Sequence, residues 1–285
     1  MAATGSVVER RGDARAPEVK GYDHPGHAVT TRVGRIGGMA ALAIRATAAL
    51  LRPPFVWRRE FVMQCIFILK VTFIPIALSI AAWGFSGPGL QAGNFLVTFG
   101  TIDRAGGFMV VAIVREFGTF VTATVVAGVV GTTITAELGA RKIREELDAL
   151  DVLGIDPIAH MVAPRILALT VMMMALDVFA LLFGVLGGYL AAVGVLGGTT
   201  GGFLVSFFAN TTFLDLAASV IKVGIFGFLI GVICCYKGLN VKGGAESVGR
   251  AVNEAVVGCL IAIFFVNLVY TQYFLAVYPD VGVFR

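Results

Sequence analysis

Long apolar stretches separated by short polar ones make up most of the chain after residue 60. A helix that crosses a membrane needs about 20 mainly apolar residues. Five stretches reach that length, at residues 66–86, 110–136, 162–186, 214–235 and 254–276. The pattern predicts an all-α integral membrane protein with five transmembrane helices.

The region before the first of these stretches has a mixed pattern. Arg45 and Arg52 are seven residues apart and would share one helix face, and Pro53 follows directly. Basic residues on one face are typical of a helix that lies along a membrane surface, so residues 31–59 are predicted to form an N-terminal interfacial amphipathic helix. Residues 1–30 are polar and contain scattered charges, and we expect a disordered cytoplasmic tail there.

Composition agrees with a membrane protein, because 58% of the residues are hydrophobic and only 14% are charged. Soluble domains carry about 25% charged residues, so the composition argues against a soluble globular fold. The four cysteines lie in or beside apolar stretches and lack the spacing of a metal site. No metal is therefore expected to bind to this chain.

Lysine and arginine residues predict the orientation of the chain. Seventeen of them lie in residues 1–59, in the loops after the second and fourth stretches, and at Arg165 near the start of the third stretch, whereas the opposite side has only Arg104 and Arg285. Positively charged loops stay in the cytoplasm. We therefore predict a multi-pass protein of the bacterial inner (plasma) membrane, with its N-terminus in the cytoplasm and its C-terminus outside.

The loop after the second stretch is unusually rich in charge. Ile143, Leu147 and Leu150 recur at helical spacing within it, and Gly154 and Pro157 follow as helix-ending signals. The pattern predicts an amphipathic helix at about residues 141–153 on the cytoplasmic face. It is either a solvated surface helix or a docking helix for a soluble partner, and its length and position favour docking. The predicted docking residues are Arg141, Ile143, Arg144, Glu145, Glu146, Leu147, Asp148, Leu150, Asp151 and Leu153.

Four of the charged residues inside the apolar stretches are candidate functional residues, because charge within a membrane is costly and often functional. Arg115 and Glu116 are neighbours in sequence, so on a helix they face different partners. They are interpreted either as an anchor or as a gate or lipid contact. Asp177 and Lys222 either form a structural ion pair or face a cavity. Both interpretations stay open for each pair.

Several motifs resemble those of the MlaE or YrbE family of ABC transporter permeases. They include Arg-Glu-Phe-Gly at 115–118, Ala-Glu-Leu-Gly at 136–139, Glu-Glu-Leu-Asp-Ala-Leu at 145–150 and Val-Leu-Gly-Ile-Asp-Pro at 152–157. Further matches lie at 57–65, 163–168 and 235–251. The match at 57–65 resembles the A-type YrbE subunit of actinobacterial Mce lipid importers. Thr119 and Val129 depart from the pattern, since some members have proline and a basic residue there.

The resemblance implies an MlaE-type permease domain over residues 60–285, with a coupling helix at about 141–153. It implies four kinds of partner: a second YrbE-type permease, two copies of a cytoplasmic ATPase, MCE-domain proteins on the outer side, and a lipid substrate. The lipid would be a fatty acid, a mycolic acid or a sterol. The A-type resemblance favours a paralogue as the second permease.

Catalysis by this chain is not expected. The sequence lacks the Gly-x-x-x-x-Gly-Lys-Ser/Thr phosphate loop of nucleotide hydrolases, so a separate subunit would hydrolyse ATP and hold ATP and Mg. No catalytic residue, bound cofactor or nucleic-acid partner is predicted for this chain. The alternative function is an ion-coupled secondary transporter of small amphiphiles, which usually has repeated halves. Five predicted spans without a visible repeat argue against it.

Overall fold

A computed structural model describes residues 25–51 and 57–279. The chain divides into two units, Met1–Gly38 and Met39–Arg285. The first unit is described only as the beginning of helix α1 (Pro25–Leu51). Most of the predicted tail, residues 1–24, lies outside the described residues, and residues 25–30 belong to α1.

The remaining described residues form seven further helices and their short connections. No strand occurs in the described part of the chain, so the all-α prediction is confirmed. The helices are α2 (Arg58–Thr98), α3 (Ile102–Ile143), α4 (Glu146–Val152), α5 (Ile158–Val195), α6 (Thr200–Asn210), α7 (Phe213–Leu239) and α8 (Ala245–Val277).

Six helical segments in the described residues are long and apolar enough to cross a membrane. Five of them, α2, α3, α5, α7 and α8, contain the five predicted stretches. The sixth is Gly34–Leu51, which the sequence predicted as an interfacial helix, so the predicted count of five spans is approximate. Helices α2 and α3 have 41 and 42 residues. At 1.5 Å per residue each is about 60 Å long, about twice the thickness of a hydrocarbon core.

Helix α5 lies at the centre of the second unit, where it packs against both α2 and α7. The contact with α2 is a backbone contact, because a Cβ atom added at Gly84 would lie 2.1 Å from the carbonyl oxygen of Gly184. Similarly, a Cβ added at Gly187 would lie 2.2 Å from the carbonyl oxygen of Ala81. Small residues permit such close approach of helices in membranes.

Helix α8 is packed less completely than the other helices of the second unit. Only Ala255, Cys259 and Ile263 are buried along it. Phe265 and Leu268, in contrast, are 67% and 60% exposed. Within this chain, α8 therefore contributes one narrow buried stripe and leaves a wide apolar face uncovered.

The junction of α3 and α4 differs from the predicted continuous helix at 141–153. Helix α3 ends at Ile143, and α4 begins at Glu146. Between them, Glu145 has a φ of 59°, the one positive φ of a non-glycine residue among those described. Its left-handed backbone redirects the chain, since an α-helix cannot continue through that conformation. Residues 141–143 thus complete α3, and α4 is a separate short helix.

Candidate functional site

Arg115 forms an ion pair inside the second unit. Its Nε donates to Asp215 Oδ1 at 2.8 Å. The other carboxylate oxygen of Asp215 accepts from the backbone nitrogen and the hydroxyl of Thr212, at 2.9 and 2.8 Å. Asp215 therefore closes the N-terminus of α7 as one half of a capping box and also neutralises a cation from α3.

Asp215 is a site residue that the sequence reasoning missed. It lies near the start of the fourth apolar stretch and was not among the four charged residues singled out from the sequence. The Thr212-x-x-Asp215 spacing was the available signal, since it is typical of a helix N-terminus. Its second role toward Arg115, one hundred residues earlier in the chain, has no local sequence signal.

Lys222 lies beside this ion pair and is almost fully buried. Its Nζ donates to the carbonyl oxygen of Arg115 at 2.9 Å and to the hydroxyl of Thr271 at 3.1 Å. Glu116 Oε2 lies 3.5 Å from the same nitrogen and accepts from the amide of Asn267 at 2.9 Å. Helices α3, α7 and α8 thus meet at Lys222. We call Arg115, Glu116, Asp215 and Lys222 the polar wall.

Arg115 and Glu116 lie in a stretch of π-helix, Val110–Phe117, within α3. π-Helical turns are rare in proteins overall, but those that occur are often found at functional sites.

Asp177 of α5 is close to the polar wall but separate from it. Its Oδ2 accepts from the hydroxyl of Ser219 at 2.6 Å, whereas Lys222 pairs with Glu116. Among the described residues, Asp177 is therefore held by a hydroxyl and not by an ion pair with Lys222.

Two cavities adjoin the polar wall. One has a volume of about 210 Å³ and is lined by the four wall residues together with Tyr270 and Phe274. The other has a volume of about 350 Å³, and four phenylalanines contribute to its lining beside Glu116 and Asn267. Each cavity combines an apolar surface with a small number of polar groups, a combination typical of a binding site for an amphiphile.

The predicted apolar stripe of the docking segment faces the chain itself. Leu147 is 4% exposed, and Ile143 and Leu150 are half-buried. The exposed apolar side chains lie at the end of α4 and just beyond it: Val152 is 87% exposed and Leu153 is 73% exposed. We call residues 152, 153 and 155 the apolar tip; only Leu153 was among the predicted docking residues.

Ion pairs surround α4. Lys142 Nζ lies 2.7 Å from Asp148 Oδ1, and Arg144 Nε donates to Glu146 Oε1 at 2.7 Å. Glu145 and Asp151 are exposed. The first pair joins the last turn of α3 to α4, and the second joins the connecting residue Arg144 to α4, so the apolar tip lies at the end of a short helix that is held close to α3.

Comparison with known proteins identifies the family. Residues 61–273 match the sequence profile of the permease MlaE. The chain belongs to the MlaE permease family. The match covers α3 to α7 completely and most of α2 and α8, so it includes both the polar wall and the apolar tip.

Relatives of this MlaE permease occur in several lineages. A probable ABC transporter permease protein of Rickettsia felis is 32% identical over 244 residues, which cover 85% of this chain and 93% of the relative. A probable ABC transporter permease protein of Synechocystis is 34% identical over 194 residues, covering 67% and 74%. The chloroplastic protein TRIGALACTOSYLDIACYLGLYCEROL 1 of Arabidopsis thaliana is 33% identical over 207 residues, covering 73% and 56%.

Proposed function

We propose that this MlaE permease is the membrane subunit of an ABC transporter that moves a hydrophobic lipid across the bacterial inner membrane. A separate cytoplasmic ATPase would supply the energy and would bind at α4 and the apolar tip. The distribution of lysine and arginine supports a cytoplasmic location for this end of the helices. The resemblance to Mce importers supports a paralogous second permease, MCE-domain proteins outside, and a fatty acid, mycolic acid or sterol as cargo.

The observation that carries the docking proposal is the exposure of the apolar tip. Val152 and Leu153 adjoin a helix covered with charged groups, and isolated apolar residues of this size gain most when a partner covers them. The segment also connects two long helices, α3 and α5, by only a few residues on each side. A displacement of α4 would therefore be transmitted to both helices, because the connecting segments are too short to absorb it.

The polar wall and its two cavities support a lipid path beside α3. Arg115 and Lys222 are each paired with a carboxylate, so the wall carries two positive and two negative groups. Balanced charge suits a small polar group such as a hydroxyl better than a phosphate, which needs an excess of positive charge. We propose that Arg115, Glu116, Asp177 and Lys222 gate this path or contact the cargo there. The name of the Arabidopsis relative, which contains that of a glycerolipid, also supports a lipid cargo.

The docking proposal is tested with Val152→Asp combined with Leu153→Asp. Burying a valine and a leucine contributes about 1.5–3 kcal/mol each, so we expect the ATPase to bind at least about 100-fold more weakly. The measurement is co-purification of the tagged ATPase with the permease in detergent. Glu246→Gln is the control, because it also changes a highly exposed carboxylate but lies on α8, outside α4 and the apolar tip. Undiminished recovery of the ATPase with the double variant would refute docking at this surface.

A further inference from the structure

Arg165, near the start of α5, is a buried cation at the α4 end of the helices. Its side chain is 1% exposed, and its Nη2 donates to Glu137 Oε1 of α3 at 2.8 Å. Within residues 25–51 and 57–279, its Nε and Nη1 have no hydrogen-bond partner. A guanidinium has five N–H donors and stays charged in proteins. Arg165 therefore has N–H donors that no described residue accepts from. Because the guanidinium is buried, its charge must be balanced by neighbouring carboxylates.

A second carboxylate approaches the same nitrogen from another helix. Glu60, in the first turn of α2, places Oε1 at 3.8 Å from Arg165 Nη2. The same oxygen accepts from the amide of Gln64 at 2.8 Å, one turn further along α2. One buried cation is thus shared by α2, α3 and α5. The bond to Glu137 is short, whereas the contact with Glu60 is loose.

The polar contacts continue from Glu137 to α4. Glu137 Oε1 also accepts from Arg141 Nη2 at 2.9 Å. Arg141 Nη1 in turn lies 3.8 Å from Glu146 Oε2 in the first turn of α4. We call Glu60, Glu137, Arg141, Glu146 and Arg165 the Arg165 network. Its charges alternate in sign along the whole path from α2 and α5 to α4.

We propose that Arg165 is a positioning residue that joins the ends of α2, α3 and α5 and, through Glu137 and Arg141, links them to α4. A displacement of α4 then moves three membrane helices together and does not bend α3 alone. The proposal rests on the proposed function, since the ATPase supplies the displacement. The loose contact with Glu60 is where α2 can separate from or approach the other two helices.

Arginine is suited to this task because its planar fork can hold carboxylates from two directions, which a lysine ammonium does with less definite geometry. Replacing a buried ion pair by neutral groups of similar size often leaves stability unchanged. Removing both charges together therefore tests a role in coupling separately from a role in folding, because the link is lost while no buried charge is left without its partner.

The experiment compares Glu137→Gln combined with Arg165→Met against the unaltered permease, each purified with its ATPase and reconstituted in liposomes. We expect ATPase recovery and Tm to stay close to those of the unaltered complex, and the lipid moved per ATP to fall by about tenfold, as is typical of lost coupling between sites. Glu246→Gln combined with Arg250→Met is the matched control. That pair lies at 3.4 Å on an exposed face of α8, outside the Arg165 network.

The single variant Glu60→Gln provides a second test of the proposal, which applies even if the double variant does not fold. It removes one charge at a side chain that is 34% exposed, and we expect a smaller but measurable fall in lipid moved per ATP. An unchanged ratio in Glu60→Gln, or in the folded double variant, overturns the proposal. Failure of the unaltered permease to bind the ATPase would instead refute the proposed function, so the two failures are distinguishable.

Discussion

Leu147 and Leu153 lie on the same short segment but have opposite environments. Replacing Leu147 should therefore affect the stability of the protein, whereas replacing Leu153 should affect ATPase binding. Leu147 is 4% exposed and Leu153 is 73% exposed. Replacing a buried leucine by alanine costs about 2–5 kcal/mol; we expect about 2 kcal/mol for Leu147→Ala, because α4 is short and its surroundings can relax. Leu153→Ala should leave stability unchanged, since its side chain has little buried area to lose.

Binding of the ATPase should respond in the opposite order. A fully buried leucine contributes about 2 kcal/mol, and a partner that covers the exposed three-quarters of Leu153 would gain about 1.5 kcal/mol. Leu153→Ala should therefore raise the Kd for the ATPase by about tenfold. The two measurements are Tm in detergent and titration of the labelled ATPase against the purified permease.

The result that would refute this reasoning is an exchange of the two effects. If Leu147→Ala weakened binding at an unchanged Tm, the docking surface would be the predicted stripe at residues 143, 147 and 150. If Leu153→Ala lowered the Tm, residue 153 would pack on the chain itself. Leu150→Ala, at a half-buried position, should give an intermediate result in both assays.

Three further predictions concern the helix bundle. Gly84→Ala should destabilise the protein by about 1–3 kcal/mol as overpacking, because its methyl group meets a backbone oxygen at 2.1 Å; thermal unfolding in detergent measures this. Arg115→Gln should cost about 3–5 kcal/mol, because it leaves the fully buried carboxylate of Asp215 without a cation, and adding Asp215→Asn should restore part of that stability. A membrane-permeant oxidant should join Cys234 to Cys259, whose sulfur atoms lie 3.6 Å apart, and peptide mass spectrometry after digestion detects the link.

Each of these predictions has a control and a contrary outcome. Gly128→Ala is the control for Gly84→Ala, since nothing lies within 4 Å of an added methyl group there, and equal melting temperatures would contradict the close helix crossing. A double variant of residues 115 and 215 that is less stable than Arg115→Gln would argue against charge compensation. A disulfide to Cys65 in place of the expected one would contradict the packing of α7 on α8.

The long helices were predictable because the requirement for about 20 apolar residues is strong and local. Arg115, Glu116, Asp177 and Lys222 were also recognisable one by one, although Asp215 was not. Their partners were not: Lys222 pairs with Glu116 and not with Asp177, a choice made by the packing of three helices. Sequence spacing contains no information about which helix lies next to which.

The break between α3 and α4 was missed for a different reason. Residues 144–145 are Arg-Glu, a helix-compatible pair, with no glycine or proline to suggest a turn. The apolar stripe at 143, 147 and 150 was predicted as one face of a single helix, but Ile143 belongs to α3 whereas Leu147 and Leu150 belong to α4. The sequence could not show that this face points inward, because an apolar stripe contacts a partner or the chain's own core with the same spacing.

The glycine contact between α2 and α5 limits how the transporter can change shape. Where two backbones touch, no layer of side chains lies between them that could repack into a second arrangement. These helices would then behave as a fixed frame during a transport cycle. The opening that admits the cargo should instead form along α8, because only three of its residues are buried and its movement would expose less apolar surface than separating α2 from α5.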